Sequence, residues 1–191
     1  MIEPYKIYWD YFTNYYKHCD NIAMRGACYA MVFNDIKPTH FQQPYEFQQC
    51  VYVGESAGNY YDKQNGYKGK VRSHVHKRMT NHHKPLTTGQ ASESSHQAII
   101  DTYGYGDHAL NGTFTNLPMW LCLLIPRPDL PEPMVKQWAK LQERQQLFNY
   151  ELKWGTCTLG NMDTGSRKDN DSFSSYRMGS INHQNLEENF A

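Results

Sequence analysis

The sequence predicts an α/β fold: a small central three-stranded sheet flanked by helices, with an N-terminal helical extension and an irregular C-terminal tail. Two observations lead there. Three apolar runs of strand length, residues 26–33, 50–54 and 118–126, punctuate the chain. Stretches with helical apolar spacing follow the second and third of them. The 191 residues make about one domain's worth of chain. They divide into an extension (1–25), a core domain (26–157) and a polar tail (158–191).

In residues 1–25, Tyr5, Tyr8, Tyr11, Phe12 and Tyr15 recur at near-helical spacing, which predicts an amphipathic helix packed on the body. GACYAMVF (26–33) and CVYVG (50–54) read as two β-compatible strands joined by a long connection holding two prolines. Residues 58–70 read as an inserted polar loop. From Lys70 to about Asn81 the spacing of Val71, Val75 and Met79 predicts a helix with a narrow apolar stripe. Residues 84–117 are mixed, with glycine-rich turns. PMWLCLLIP (118–126) is a continuous apolar run, as in a strand covered on both faces. A helix then runs from about Glu132 to Tyr150, with Met134, Trp138, Leu141 and Phe148 on one stripe and Glu143, Leu147 and Tyr150 on another. A helix apolar on two sides is expected between two layers.

Charge is balanced, 19 Lys plus Arg against 19 Asp plus Glu, which excludes the polybasic classes. No run approaches the roughly 20 apolar residues of a membrane span, and no secretory signal is visible at the N-terminus. Five cysteines, odd in number and without a CxxC pair, read as reduced thiols of a cytosolic protein.

The residues with chemistry concentrate in three places. Tyr29 and Tyr52 sit on the first two strands. A basic run follows: Lys68, Lys70, Arg72, His74, His76, Lys77, Arg78, His82, His83 and Lys84. Within it, Arg72 and His76 are four residues apart and share a helix face, which suits a phosphate. Arg78 and His82 repeat that spacing six residues later; Arg72 is preferred because it implies the shorter insertion after Gly54. Glu143, on the last helix, is a carboxylate of the kind that holds Mg²⁺ together with water and substrate phosphate oxygens; Glu151 is its rival. A zinc cluster at His74, His76, His82 and His83 is disfavoured because no cysteine joins it at ligand spacing.

GACYAMVF, followed 23 residues later (tyrosine to tyrosine) by VYVGES, resembles the paired strands of the GIY-YIG nucleases. Ala27-Cys28-Tyr29 stands for the first triplet and Tyr52-Val53-Gly54 for the second. The ending ERQQLFNYELKWGT, with Glu143, Leu147-Phe148, Tyr150 and Trp154, is similar to the restriction-enzyme-like branch. The resemblance covers roughly residues 25–156, with departures. The first triplet lacks its Gly and Ile, about ten extra residues precede Arg72, and the Asn expected after Trp154 is Gly155, leaving Thr156 or Asn161 to stand in.

The resemblance implies a DNA endonuclease dependent on Mg²⁺ or Mn²⁺, leaving 5′-phosphate and 3′-hydroxyl ends. Tyr29 would activate water, Tyr52 orient it, Arg72 and His76 serve the scissile phosphate, and Glu143 hold the metal. Lys68, Lys70, Lys77, Arg78, His82, His83 and Lys84 would contact double-stranded DNA. One such site cuts one strand, so a double-strand break requires a homodimer or sequential nicking. The alternative is a DNA-binding module that kept the fold without catalysis.

Overall fold

A computed structural model describes residues 3–18, 26–34, 50–56, 75–91, 93–106, 110 and 118–161 of the chain. Four strands, β1 (Lys6–Tyr11), β2 (Ala27–Phe33), β3 (Cys50–Ser56) and β4 (Met119–Ile125), form one antiparallel sheet in the order β1-β4-β2-β3. Three helices accompany it: α1 (Val75–Thr88), α2 (Ser94–Tyr103) and α3 (Glu132–Trp154).

The sheet is therefore four-stranded, not three-stranded, and the added strand lies where a helical extension was expected. Residues 6–11 pair with β4 from Lys6–Ile125 to Tyr11–Trp120, and a 3₁₀ turn, Phe12–His18, follows directly. The tyrosines of this segment satisfy a helical period, but Ile7, Trp9 and Tyr11 also alternate with polar neighbours. Pairing with the otherwise open edge of β4 decides for the strand. Tyr11 stacks on Trp120 across that pairing, with ring centroids 4.1 Å apart.

Alternation along the buried strands sends side chains to two cores, one on each face of the sheet. Tyr29, Met31, Phe33, Met119, Leu121, Leu123 and Ile125 face α1 and α2, where Val75, Met79, Leu86, Ile99 and Ile100 meet them. Cys28, Ala30, Val32, Cys122 and Leu124 face α3, where Trp138, Ala139 and Tyr150 cover them. β2 and β4 are buried along their whole length, which accounts for their uninterrupted apolar sequence. Cys28, Cys50, Cys122 and Cys157 are free thiols.

Helix α3 is covered on one side only. Val135, Trp138, Ala139, Gln142, Gln146 and Tyr150 form its buried face, whereas Met134, Leu141, Phe148 and Leu152 are exposed. The expected second layer over that stripe is absent among the described residues. α1 is described over Val75–Thr88 and runs past the expected end at Asn81, while residues 70–74 of the expected helix lie outside the described set; α2 falls within the stretch read as mixed. Of the predicted tail, only the part up to Asn161 is described, and it closes in a short 3₁₀ turn, Leu159–Asn161. No helix among the described residues is long and apolar enough to cross a membrane.

Candidate active site

The site gathers on β2 and the edge strand β3. Antiparallel register sets Tyr29 opposite Gly54, with Tyr52 on the diagonal, and the two tyrosine rings stack at 6.0 Å. Gly54 is required by this approach. A Cβ there would lie 2.5 Å from the Tyr29 phenol oxygen and 2.7 Å from Cε1 of Tyr52. The glycine of the YVG triplet thus makes the space that the first tyrosine fills.

Helix α1 supplies the next two groups. Val75, Met79, His82 and Leu86 are its inward face, spaced i, i+4, i+7, i+11, so His82 is buried by the same periodicity that buries the apolar residues. Its Nε2 lies 2.7 Å from the Tyr29 hydroxyl, and its ring packs 4.7 Å from that of Tyr52. Arg78, one turn earlier, is half-buried. Its Nε donates to the Glu55 carbonyl at 3.1 Å, and its positive charge lies near enough to the Tyr29 phenol to favour the phenolate. A second histidine extends the chain: Nδ1 of His82 is 2.9 Å from Nε2 of His96 on α2.

Of the two Arg/His pairs open in the sequence, Arg78 with His82 is the one that meets both tyrosines. His76 instead packs against Tyr15 of the N-terminal 3₁₀ turn at 5.4 Å, and His83 against the same ring at 5.5 Å. Lys77 and Lys84 are exposed on α1. Arg72, Lys68 and Lys70 lie outside the described residues.

Glu143 of α3 is the carboxylate in electrostatic reach of Tyr29, Tyr52 and Arg78. Burial, then the neighbouring Glu55, raises its carboxyl to about 7 against the pull of Arg78, Arg144 and Lys140. Glu55 itself has a buried Oε2 with no hydrogen-bond partner among the described residues. Glu143, whose carboxyl is raised by burial and by the charge of Glu55, and Glu55 with its unmet oxygen are carboxylates of the kind that suit a hard divalent cation that keeps water and phosphate oxygens as its other ligands. Among the described residues no three His, Cys, Asp or Glu side chains converge as an all-protein cage. Mg²⁺ and Mn²⁺ fit this donor set; a closed zinc centre does not.

Electrostatics assign the protons. Burial, then His96 and Arg78, pushes the His82 imidazole down to about 3, so it is neutral and must donate from one nitrogen and accept at the other. Burial, reinforced by Tyr52 and opposed by Arg78, raises the Tyr29 phenol well above its usual range. Tyr29 therefore holds its proton at rest. It can accept another only while passing its own to His82.

Asn161, on the 3₁₀ turn that follows α3, binds the YVG strand. Its side chain accepts from the Val53 N–H and donates to the Val53 carbonyl, both at 2.8 Å, between Tyr52 and Gly54. Of the two stand-ins for the missing Asn, Asn161 is thus the one bound to the YVG strand; Thr156 is exposed. Glu55 and His96 are the residues that sequence reasoning missed. Glu55 follows the YVG triplet directly, and His96 lies three and four residues before Ile99 and Ile100 on the apolar face of α2. Comparison with known proteins leaves this geometry to speak for itself: no family model, curated protein or solved structure matches the chain.

Proposed function

We propose that the chain is a divalent-metal-dependent DNA endonuclease of the GIY-YIG type, hydrolysing phosphodiester bonds at the Tyr29–Tyr52–Arg78–His82–Glu143 site. The observation that carries the reading is convergence: Tyr29, Tyr52, Arg78 and His82, from three elements, gather at one strand pair in the order of the resembling motifs, with Glu143 of α3 in electrostatic reach. Ordinary packing does not require an arginine, a neutral histidine and a proton-holding glutamate around two stacked tyrosines.

In this reading Tyr29 takes a proton from the attacking water as its own phenolic proton moves to Nε2 of His82. Tyr52 orients the water or the phosphate. Arg78 stabilises the charge that accumulates on the phosphate oxygens in the transition state. Glu143 would hold a divalent cation, with Glu55 as a second carboxylate, and the charge that such an ion would supply is neutralisation at the leaving 3′-oxygen. Lys77 and Lys84 offer sequence-independent contacts to the DNA backbone.

Supercoiled plasmid incubated with the protein and Mg²⁺ tests the proposal. Nicking that a chelator abolishes is the expected result, and tight DNA binding without any cleavage would replace the enzyme with a binding module. Within the enzyme, Arg78→Ala should cut about 10²–10³-fold more slowly in single turnover, the usual cost of one lost transition-state donor. Arg72→Ala should act mainly on affinity and its salt dependence. The reverse pair of phenotypes would return the catalytic role to Arg72.

A further inference from the structure

Beside the five residues just assigned, a buried histidine touches the site without a role in it: His96. It belongs to none of the resembling motifs, stands on a different helix from His82, and is only 3% exposed. Yet it is hydrogen-bonded to the ring that touches Tyr29. The groups around the pair are Tyr29 from β2, Tyr52 from β3, Arg78 on α1 itself and Glu93 at the head of α2.

One tautomer arrangement leads from the phenol to the surface. In it the Tyr29 hydroxyl donates to Nε2 of His82, 2.7 Å away, with the Arg78 charge near the phenol oxygen. A neutral His82 then carries its proton on Nδ1 and donates it to Nε2 of His96. His96 in turn carries a proton on Nδ1. That atom is buried, lacks a hydrogen-bond partner among the described residues, and stands 4.0 Å from Oε2 of Glu93, whose side chain is 67% exposed. The file of atoms runs from the interior to the surface.

We propose that His96 is a positioning residue for the Tyr29–His82 pair and the outlet by which the Tyr29 phenolic proton leaves toward Glu93. The transfer balances. The Tyr29 O–H bond breaks as Nε2–H of His82 forms; the His82 Nδ1 proton passes to Nε2 of His96; the His96 Nδ1 proton passes to the Glu93 carboxylate, directly or through one water. One proton has moved from Tyr29 to Glu93, both imidazoles end in the opposite tautomer, and the phenolate is left beside Arg78.

The inference rests on the nuclease reading, and its test separates the two. The activity arm is Mg²⁺-dependent nicking by His96→Gln, whose amide can occupy the place of Nε2 and keep a hydrogen bond to His82 but cannot pass a proton on. At pH 7 it should lose about 10²-fold, the low end of what a positioned proton acceptor supplies. The loss should shrink steadily toward pH 9, as hydroxide removes the Tyr29 proton instead. His96→Gly should regain activity on addition of free imidazole. A His96→Gln protein with wild-type rate and pH profile would overturn the proposal. The second arm needs no activity: ¹⁵N NMR of the wild-type imidazoles should show His82 protonated on Nδ1 alone, with that proton slow to exchange. His82 protonated on Nε2 instead would overturn the outlet even in an active enzyme. A wild-type protein that never cuts, yet shows the expected tautomer, would fell the nuclease reading and leave the hydrogen-bonded chain standing.

Discussion

Glu143 carries a cost that the free protein bears for its site. In the folded, metal-free state its carboxyl titrates near 7, against 4.5 in an ordinary environment. The folded state therefore binds the proton more tightly than the unfolded one, and stability falls as pH rises from about 4.5 through about 7. Glu143→Gln removes that loss. Chemical denaturation in chelator should find the variant more stable by about 1–3 kcal/mol at pH 8 and indistinguishable at pH 4, while nicking is abolished. Equal stability at both pH values would place the carboxyl in water. Gly54→Ala tests the other close approach. Its added methyl meets the Tyr29 ring, a fully buried group with nowhere to retreat, so a loss of about 1–3 kcal/mol in unfolding free energy is expected. Cleavage should fall further than stability, because the displaced group is the proton acceptor in the proposed reaction.

At the scale of elements, the 3₁₀ turn after α3 matters more than its composition suggests. Asn161 binds both backbone groups of Val53 on an edge strand whose outer side has no strand neighbour among the described residues. Asn161→Ala should lower the thermal midpoint, reflecting about 1–3 kcal/mol for the two lost hydrogen bonds to Val53 and the one from Thr158. Asn161→Asp should be no better, since a carboxylate can accept from the Val53 N–H but only repels its carbonyl. A neutral outcome in both would make the contact incidental. Legibility in the sequence follows the same division between local and long-range causes. The strands at 27–33, 50–56 and 119–125 and helix α3 announce themselves by unbroken apolar runs or apolar spacing, because burial on both faces or along a stripe is written locally. β1 and α2 do not. The first obeys two periods at once and is settled only by the edge of β4, and the second is ten residues of weak amphipathic pattern. The approach of the two tyrosines follows from their motif order. That His82 packs on them could have been read, because His82 and not His76 continues the Val75–Met79–Leu86 face, but insertion length pointed to Arg72 and His76. His96 reaches His82 only through tertiary contact.

For the whole molecule, the strand order β1-β4-β2-β3 divides the backbone into two interior and two rim strands. This division has a temporal counterpart. Amide hydrogens of β2 and β4, flanked by strands on both sides and covered by helices on both faces, can exchange with deuterium only when the entire fold opens. Those on the outward sides of β1 and β3 can exchange through fraying. The two halves of the tyrosine pair thus live on different clocks: Tyr29 on a strand that opens last, Tyr52 on one that breathes. The Val53 amide should be the exception on its strand, exchanging at the slow rate of the interior because Asn161 occupies the place of a fifth strand there. If Val53 exchanged as fast as its outward-facing neighbours, the clamp would be loose in solution, and the edge on which the second tyrosine rides would be free to deform around a substrate.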